Sequence, residues 1–297
     1  MPTRGQIDAR LREPLPVEEV PKLDIKFIDP SYSEAVVNLQ MDYLLSRKAL
    51  LNKRLFSSPL TLTLLIAWLG VVYRLRLQDY FSSFNFKDGF LQGMEILAKS
   101  PQFRSDIVES LAMIGLFVGI EWAILNRSTR YWKEQSQAVP DHQQEYFGID
   151  MGEYASLTDK SKLSKEEKKQ VEQMKQNSVN VVYRQTPIGF IVKKQQEDKT
   201  EDTLTYKITA LGIRRVYISA GVLEDLLTYV IRDLHKVEGY KNVRCLFDIY
   251  SFENYEREIA EGLGFKLEAK ERFNKDLLLA RVFGVEKQTF VYEVTEN

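Results

Sequence analysis

The chain of 297 residues is long enough for one or two domains, and its 41 Lys and Arg nearly balance 42 Asp and Glu, so no global charge argues for nucleic acid. One cysteine, Cys245, excludes an internal disulfide framework and a cysteine-based metal cluster. The two histidines, His142 and His235, stand far apart without the spacing of a zinc pair; no metal site is predicted.

Residues 1–30 carry charges throughout and five prolines, Pro2, Pro14, Pro16, Pro21 and Pro30. That composition predicts a disordered tail and no cleavable signal peptide. Asp29 and Pro30 then have the form of a helix start, N-cap followed by proline at the first helical position. Tyr32, Val36, Leu39, Tyr43 and Leu50 recur at helical spacing, which predicts an amphipathic helix over 31–54. It could pack on the chain's own soluble domain, lie along a bilayer, or enter a partner's groove.

Two apolar stretches follow, Leu55 to Tyr73 (LFSSPLTLTLLIAWLGVVY) and Ile107 to Leu125 (IVESLAMIGLFVGIEWAIL). At about 1.5 Å per helical residue each approaches the roughly 30 Å of a bilayer core. Trp68, Tyr73, Trp122, Tyr131 and Trp132 near their ends favour spans over buried soluble helices. The pair predicts a membrane hairpin over 55–126, with its first span serving as the targeting signal. The connection is rich in aromatics (Tyr80, Phe81, Phe84, Phe86, Phe90) and suits the interface region. A hairpin puts both termini on one side. That side's flanks carry seven bases (Arg47, Lys48, Lys53, Arg54, Arg127, Arg130, Lys133) against five in the connection (Arg74, Arg76, Lys87, Lys99, Arg104), favouring cytosolic termini. The sequon Asn126-Arg127-Ser128 abuts the membrane and reports little.

Within the second span Gly115, Gly119 and Ala123 follow at i, i+4 and i+8, a small-residue stripe that lets another helix approach. The visitor could be the first span, through Ala67 and Gly70, or a helix of another membrane protein. Glu121 is either a functional intramembrane carboxylate or a side chain reaching the headgroups near Arg127. Gly115, Gly119 and Glu121 are the candidate partner-binding residues; no catalytic or cofactor-binding residue is assigned.

From about residue 145 the character changes. KSKLSKEEKKQVEQMKQN (160–177) is a solvated helix or linker. Alternating, β-branched stretches VNVVYRQTPIGFIVKKQ and TLTYKITALGIRRVYI predict hairpin strands, with a polar turn over Gln196 to Asp202. An amphipathic helix follows over Ala220–Leu234, then a buried strand over 243–250, then a helix capped by Ser251 and ended by Gly262 and Gly264. Two last strands complete a β-β-β-α-β-α-β-β order, a mixed sheet covered by helices. The predicted class is α+β: a two-helix transmembrane hairpin followed by a mixed-sheet α/β domain over 145–297.

The stretches PIGFIV, ITALGIRRVYISAGVLEDLLTYVI and GYKNVRCLFDIYSFENYEREIAEGLGF together resemble the Gcn5-related N-acetyltransferase superfamily. That resemblance implies a cofactor turn at Arg214–Gly221, where backbone N–H groups at a helix start would cradle acetyl-coenzyme A phosphates. Tyr217 and Ser219 stand where the family has glycines, so the turn reads as decayed, although Arg214, Arg215 and Gly221 leave weak binding open. Tyr255, Glu253 and Glu256 could be offered as acid or base, but a structural role is the ordinary one for such helix residues.

A second resemblance covers DPSYSEAVVNLQMDYLLSRKALLNKRLFSSPLTLTLLIAWLG together with the order of parts. It is to fungal endoplasmic-reticulum packaging chaperones of the high-affinity inorganic phosphate transporter. It implies a non-catalytic, multi-pass membrane chaperone of the endoplasmic reticulum, with a polytopic transporter as client, membrane lipid around it and no nucleic acid. The alternative reading is a membrane-anchored, acetyl-coenzyme A-dependent N-acetyltransferase; a third is a scaffold of that membrane without a dedicated client.

Overall fold

The computed structural model describes residues 23–82, 90–158, 164–196 and 202–295. One seven-stranded sheet organises them, in the order β1-β2-β3-β4-β5-β7-β6. The strands are β1 (Leu23–Lys26), β2 (Ser178–Tyr183), β3 (Thr186–Gln195), β4 (Thr203–Ile213), β5 (Asn242–Tyr250), β6 (Lys266–Arg272) and β7 (Glu286–Thr295). All neighbours run antiparallel except β4 and β5.

Beginning at Leu23, the segment expected to be a tail is part of this sheet. β1 pairs with β2, Ile28 N donates to Ser178 Oγ (3.1 Å), and Tyr154 Oη donates to Ile28 O (2.8 Å). These partners lie more than 120 residues away in sequence, which is why local composition gave no sign of them. The remainder of the expected tail, residues 1–22, falls outside the described residues.

Helix α1 (Ser33–Phe56) is reached through a 3-10 turn, Pro30–Tyr32, capped by Asp29 as expected. It lies against β4 and is a layer of the domain. One edge strand of the sheet and one of its helical layers thus come from residues 23–56, ahead of the expected 145–297. Val36, Leu39, Leu44, Leu51 and Leu55 are buried along α1. Gly212 permits this approach: a Cβ there would meet Leu39 at 3.0–3.1 Å and collide with the Phe190 ring. On the opposite face, Gly189 does the same for α2 (Val222–Leu234), where a Cβ would lie 2.6 Å from Val222.

β4 and β5 pair only from Thr203↔Asn242 to Lys207↔Leu246 and then part. The opened wedge is bordered by α1: Gln40 Oε1 accepts from Leu211 N (3.1 Å), a donor that the separated strand leaves without a ladder partner. β5 itself alternates buried and half-buried residues over its whole length, the period of a strand.

Ser251, expected to cap the helix Asn254–Gly262, does not: Glu253 holds the N-cap position, and Ser251 Oγ accepts from Glu286 N (3.1 Å). The Lys/Glu-rich run contains a helix, Lys165–Asn177, with a Ser164/Glu167 capping box and Val171 and Met174 buried against the sheet. Most of the predicted polar turn, 197–201, lies outside the described residues.

Candidate functional site: the apolar hairpin and its mount

Both apolar helices open on Ser-Pro. Ser58 Oγ accepts from Thr61 N (3.2 Å) ahead of Pro59, and Ser100 Oγ accepts from Phe103 N (3.4 Å) ahead of Pro101. A serine cap followed by proline at the first helical position starts a helix sharply. The first therefore begins four residues later than expected. Leu55 and Phe56 end α1, and the apolar helix runs Pro59–Ser82, passing through a π-helical stretch at Tyr73–Leu77. The second runs Pro101–Ser128. Both are long and apolar enough to cross a membrane, and very little of either is buried by the rest of the chain. Of the connecting aromatics, Phe84 and Phe86 lie outside the described residues.

Contacts at two levels join the helices. Trp68 stacks on Phe117 (centroids 5.2 Å) and its indole N–H donates to Met113 O (3.3 Å). At the loop end, Tyr80 Oη donates to Asp106, whose carboxylate also meets Arg76 (3.6 Å); Arg76 pairs with Glu109 at 2.7 Å. Asp106 is buried within this group. Sequence reasoning missed the group, although Glu109 signalled it as a charge inside an apolar run. From Asp106 to Leu125 the helix climbs about 28 Å at 1.5 Å per residue, so this polar lock and the domain stand about one bilayer core apart.

Close glycine packing within the hairpin does not occur. A Cβ added at Gly70, Gly115 or Gly119 would meet nothing within 4 Å. At about 100° per residue, Gly115 and Gly119 sit some 200° from Met113 and Phe117, on the face turned away from the first helix. Glu121 continues the Met113–Phe117 stripe instead. The three candidate partner-binding residues therefore divide: the glycines present an open outward face, and Glu121 lies on the inward one.

The mount joins hairpin to domain. Helix Arg130–Ala138 continues from the second apolar helix and packs along α1. Its Trp132, 1% exposed, stacks on Phe273 (4.8 Å) and meets Tyr250, Phe252 and Tyr131 edge-on at 5.3–5.6 Å. Leu51, Leu55, Leu125, Leu279 and Val285 complete this cluster. Polar ties add to it: Lys48 Nζ donates to Asn126 Oδ1 (2.9 Å), Arg54 Nη1 to Ser251 O (2.7 Å), and Ser136 Oγ to Met41 O (3.0 Å).

Beside the mount, Arg47 Nε donates to Glu253 Oε1 at 2.5 Å, and Glu253 Oε2 accepts from Tyr250 N at 2.8 Å. Glu253 is fully buried. Burial works against the Arg47 charge, but Glu253 together with Tyr43 and Tyr250 outweighs it, and the guanidinium is held above its usual pKa. Burial, with Glu253 adding to it, pushes Glu256 up to about 7. A cavity of about 290 Å³ lies in the β4/β5 wedge against Tyr43, Arg47, Tyr131, Lys207, Asp248 and Tyr250. Its charges are already matched: Asp248 takes both Lys207 (2.8 Å) and Lys287 (2.9 Å), and the two lysines outweigh burial to hold its pKa low.

The turn that the resemblance sets against cofactor phosphates, and that reads as decayed, packs on the chain itself. Arg215–Ala220 is a 3-10 helix, with Tyr217 and Ile218 packed against the core. Arg214 Nε donates to Pro187 O (3.0 Å), and Tyr255 Oη donates to Ile218 O (2.5 Å). Gly221, at φ +81°, turns the chain into α2. Tyr255 thus ties its helix to this turn, and Glu253 ties Arg47 to the end of β5. Burial pushes the Cys245 thiol up to about 12, away from nucleophilic use. Among the described residues no three His, Cys, Asp or Glu side chains gather as a metal site.

The sequence model of the family described as "Inorganic phosphate transporter chaperone Pho86" matches residues 5–294. No curated protein matches the chain. Among solved structures it is similar to Naa50 of Arabidopsis thaliana in complex with a bisubstrate analogue, at 13% identity over 39% of this chain and 71% of that one, TM-score 0.33. It is similar also to a GNAT-family acetyltransferase of Streptococcus pneumoniae (12% identity, 44% and 77% covered, TM-score 0.35). A third likeness is to the ribosomal-protein-S18-alanine N-acetyltransferase of Escherichia coli (13%, 46% and 81%, TM-score 0.34).

Proposed function

We propose, from the premise that this chain belongs to the inorganic phosphate transporter chaperone family Pho86, that it is a non-catalytic chaperone of the endoplasmic-reticulum membrane. Its two apolar helices span the bilayer, and it readies a polytopic phosphate transporter for packaging and exit. The observation that carries this reading is the outward apolar surface of the hairpin. Leu62, Leu64, Ile66, Val108, Leu111 and Leu116 are all exposed on helices the domain leaves uncovered. Lipid can cover such a surface, and so can an unassembled client helix.

The open Gly115/Gly119 face is where we place the client, since no described part of the hairpin packs there and a partner backbone can come close. Glu121, on the inward stripe, is the weaker candidate for client contact. β1 and β7 belong to one sheet, so both ends of the described chain lie on one side, which we take as cytosolic. In support, Asn126 is half-buried in a helix and accepts from Lys48, a poor acceptor for a glycan. A non-catalytic role is supported by the filled turn at Tyr217 and Ile218.

Deleting the protein in its host and following the high-affinity phosphate transporter tests the reading, with other plasma-membrane transporters as controls. Retention of that transporter alone in the endoplasmic reticulum is the expected outcome. Normal delivery overturns the proposal. Heat on titrating acetyl-coenzyme A into the full chain would revive an enzymatic reading.

A further inference from the structure

We infer that the segment around the short helix Leu277–Arg281 is a bilayer-contact element, seated in the phospholipid headgroup and upper acyl region of the leaflet on the domain's side; this rests on the reading that the two apolar helices span the membrane. Asp276 caps this helix, accepting from Leu279 N at 2.9 Å. Leu279 is fully buried in the mount, and Leu278 and Phe283 lean on the same cluster. The segment's position is thereby fixed relative to the ends of both spans. Its other apolar side chains point out: Leu277 is 70% exposed and Val282 51%.

What covers them follows from where they sit. Val282, Phe283 and Val285 share one groove of about 340 Å³ with Leu55, Ser58, Pro59 and Leu60. Pro59 and Leu60 are the first residues of the first span, so Val282 stands beside the point where that helix enters the bilayer. Exposed bases surround the patch, Lys53 and Arg54 just before the span and Lys275 and Arg281 on the segment. Apolar side chains projecting among cations is the pattern of an interfacial anchor, with depth of about 5–10 Å and phosphates met by the bases.

A protein partner is the rival occupant, and a labelling experiment separates the two. The native Cys245 is buried, so single cysteines can be labelled in the full chain. Leu277→Cys, Val282→Cys, Ile66→Cys and Val216→Cys each receive an environment-sensitive fluorophore. The proteins are placed in nanodiscs of phosphatidylcholine with phosphatidylserine, and quenching by lipid-borne nitroxide is compared with quenching by aqueous iodide. Val216 is the water control: it is 78% exposed and shares a groove with Asn38 and Asp42 of α1, about 20 Å of helix from the span at 1.5 Å per residue.

The expected result is strong lipid quenching at Ile66, intermediate lipid quenching with weak iodide quenching at 277 and 282, and iodide quenching alone at 216. Iodide quenching at 277 and 282 equal to that at 216, with Ile66 still lipid-quenched, overturns the contact element and leaves the spans standing. Protection of 277 and 282 from both quenchers means protein covers them and overturns it too. Absence of lipid quenching at Ile66 overturns the spanning reading and this inference with it.

Discussion

The hairpin and the domain solve opposite problems with the same residue types. In the domain, leucines and valines are spent inward: α1 and α2 press on the two faces of a sheet whose glycines, Gly212 and Gly189, let them close in. In the hairpin the leucines face out, and what holds the two helices to each other is polar or aromatic: Trp68 on Phe117 and Met113, and Arg76 with Asp106 and Glu109. Apolar burial stabilises a fold in water, but between helices in lipid it gives little net attraction. The hairpin's outward face is thus left available, and the domain supplies the rigid end that the hairpin lacks.

The mount is the place to break that contrast. Trp132→Ala empties the centre of the aromatic cluster and should cost about 3–5 kcal/mol, read as a lowered thermal midpoint of the full chain in detergent. If the midpoint stays put, the hairpin is not fixed by this cluster. Glu253→Ala should cost a similar amount, about 3–5 kcal/mol, because Arg47 would keep its charge in a buried position. A paired Arg47→Met, Glu253→Leu variant should recover most of the loss, which a purely steric defect would not allow.

Glu256 gives the domain a pH signature that the hairpin should not share. Its folded pKa is raised from 4.5 to about 7, so the native state binds more protons across that window and stability falls as pH rises through it. Glu256→Gln should match the parent near pH 4 and gain on it as pH climbs to 7, by an amount on the order of 3 kcal/mol. Denaturant midpoints measured at several pH values check this; a constant difference at all of them refutes it.

The smallest effect on stability, within about 0.5 kcal/mol, is expected for Gly119→Leu, since the new side chain meets open space. Transporter exit should nonetheless fall, because the bulk blocks close approach on the outward face. Unchanged exit would move the client site elsewhere on the hairpin.

Local patterning made much of this legible. The strand at 243–250, the amphipathic spacing of Val222–Leu234, the Asp29-Pro30 start and the two long apolar runs are each stated within a dozen or two residues, and the structure has them, with β5 half-buried at every second residue and not buried throughout. The candidate site was legible only in part: composition marked Gly115, Gly119 and Glu121 together, while helical phase in the folded hairpin divides them. The Arg76–Asp106–Glu109 group and the Trp132 cluster were hidden because their members come from segments far apart in the chain.

By itself the sequence determined element type and the span-length helices, because these depend on residue type and short periods. Tertiary structure alone decided that Leu23–Lys26 is a strand, that α1 is a domain layer bordering the β4/β5 wedge, and which hairpin face is left open. Those outcomes depend on pairings across as many as 206 residues, such as Arg47 with Glu253 and Gln40 with Leu211, and on the relative rotation of packed helices, neither of which a local pattern contains.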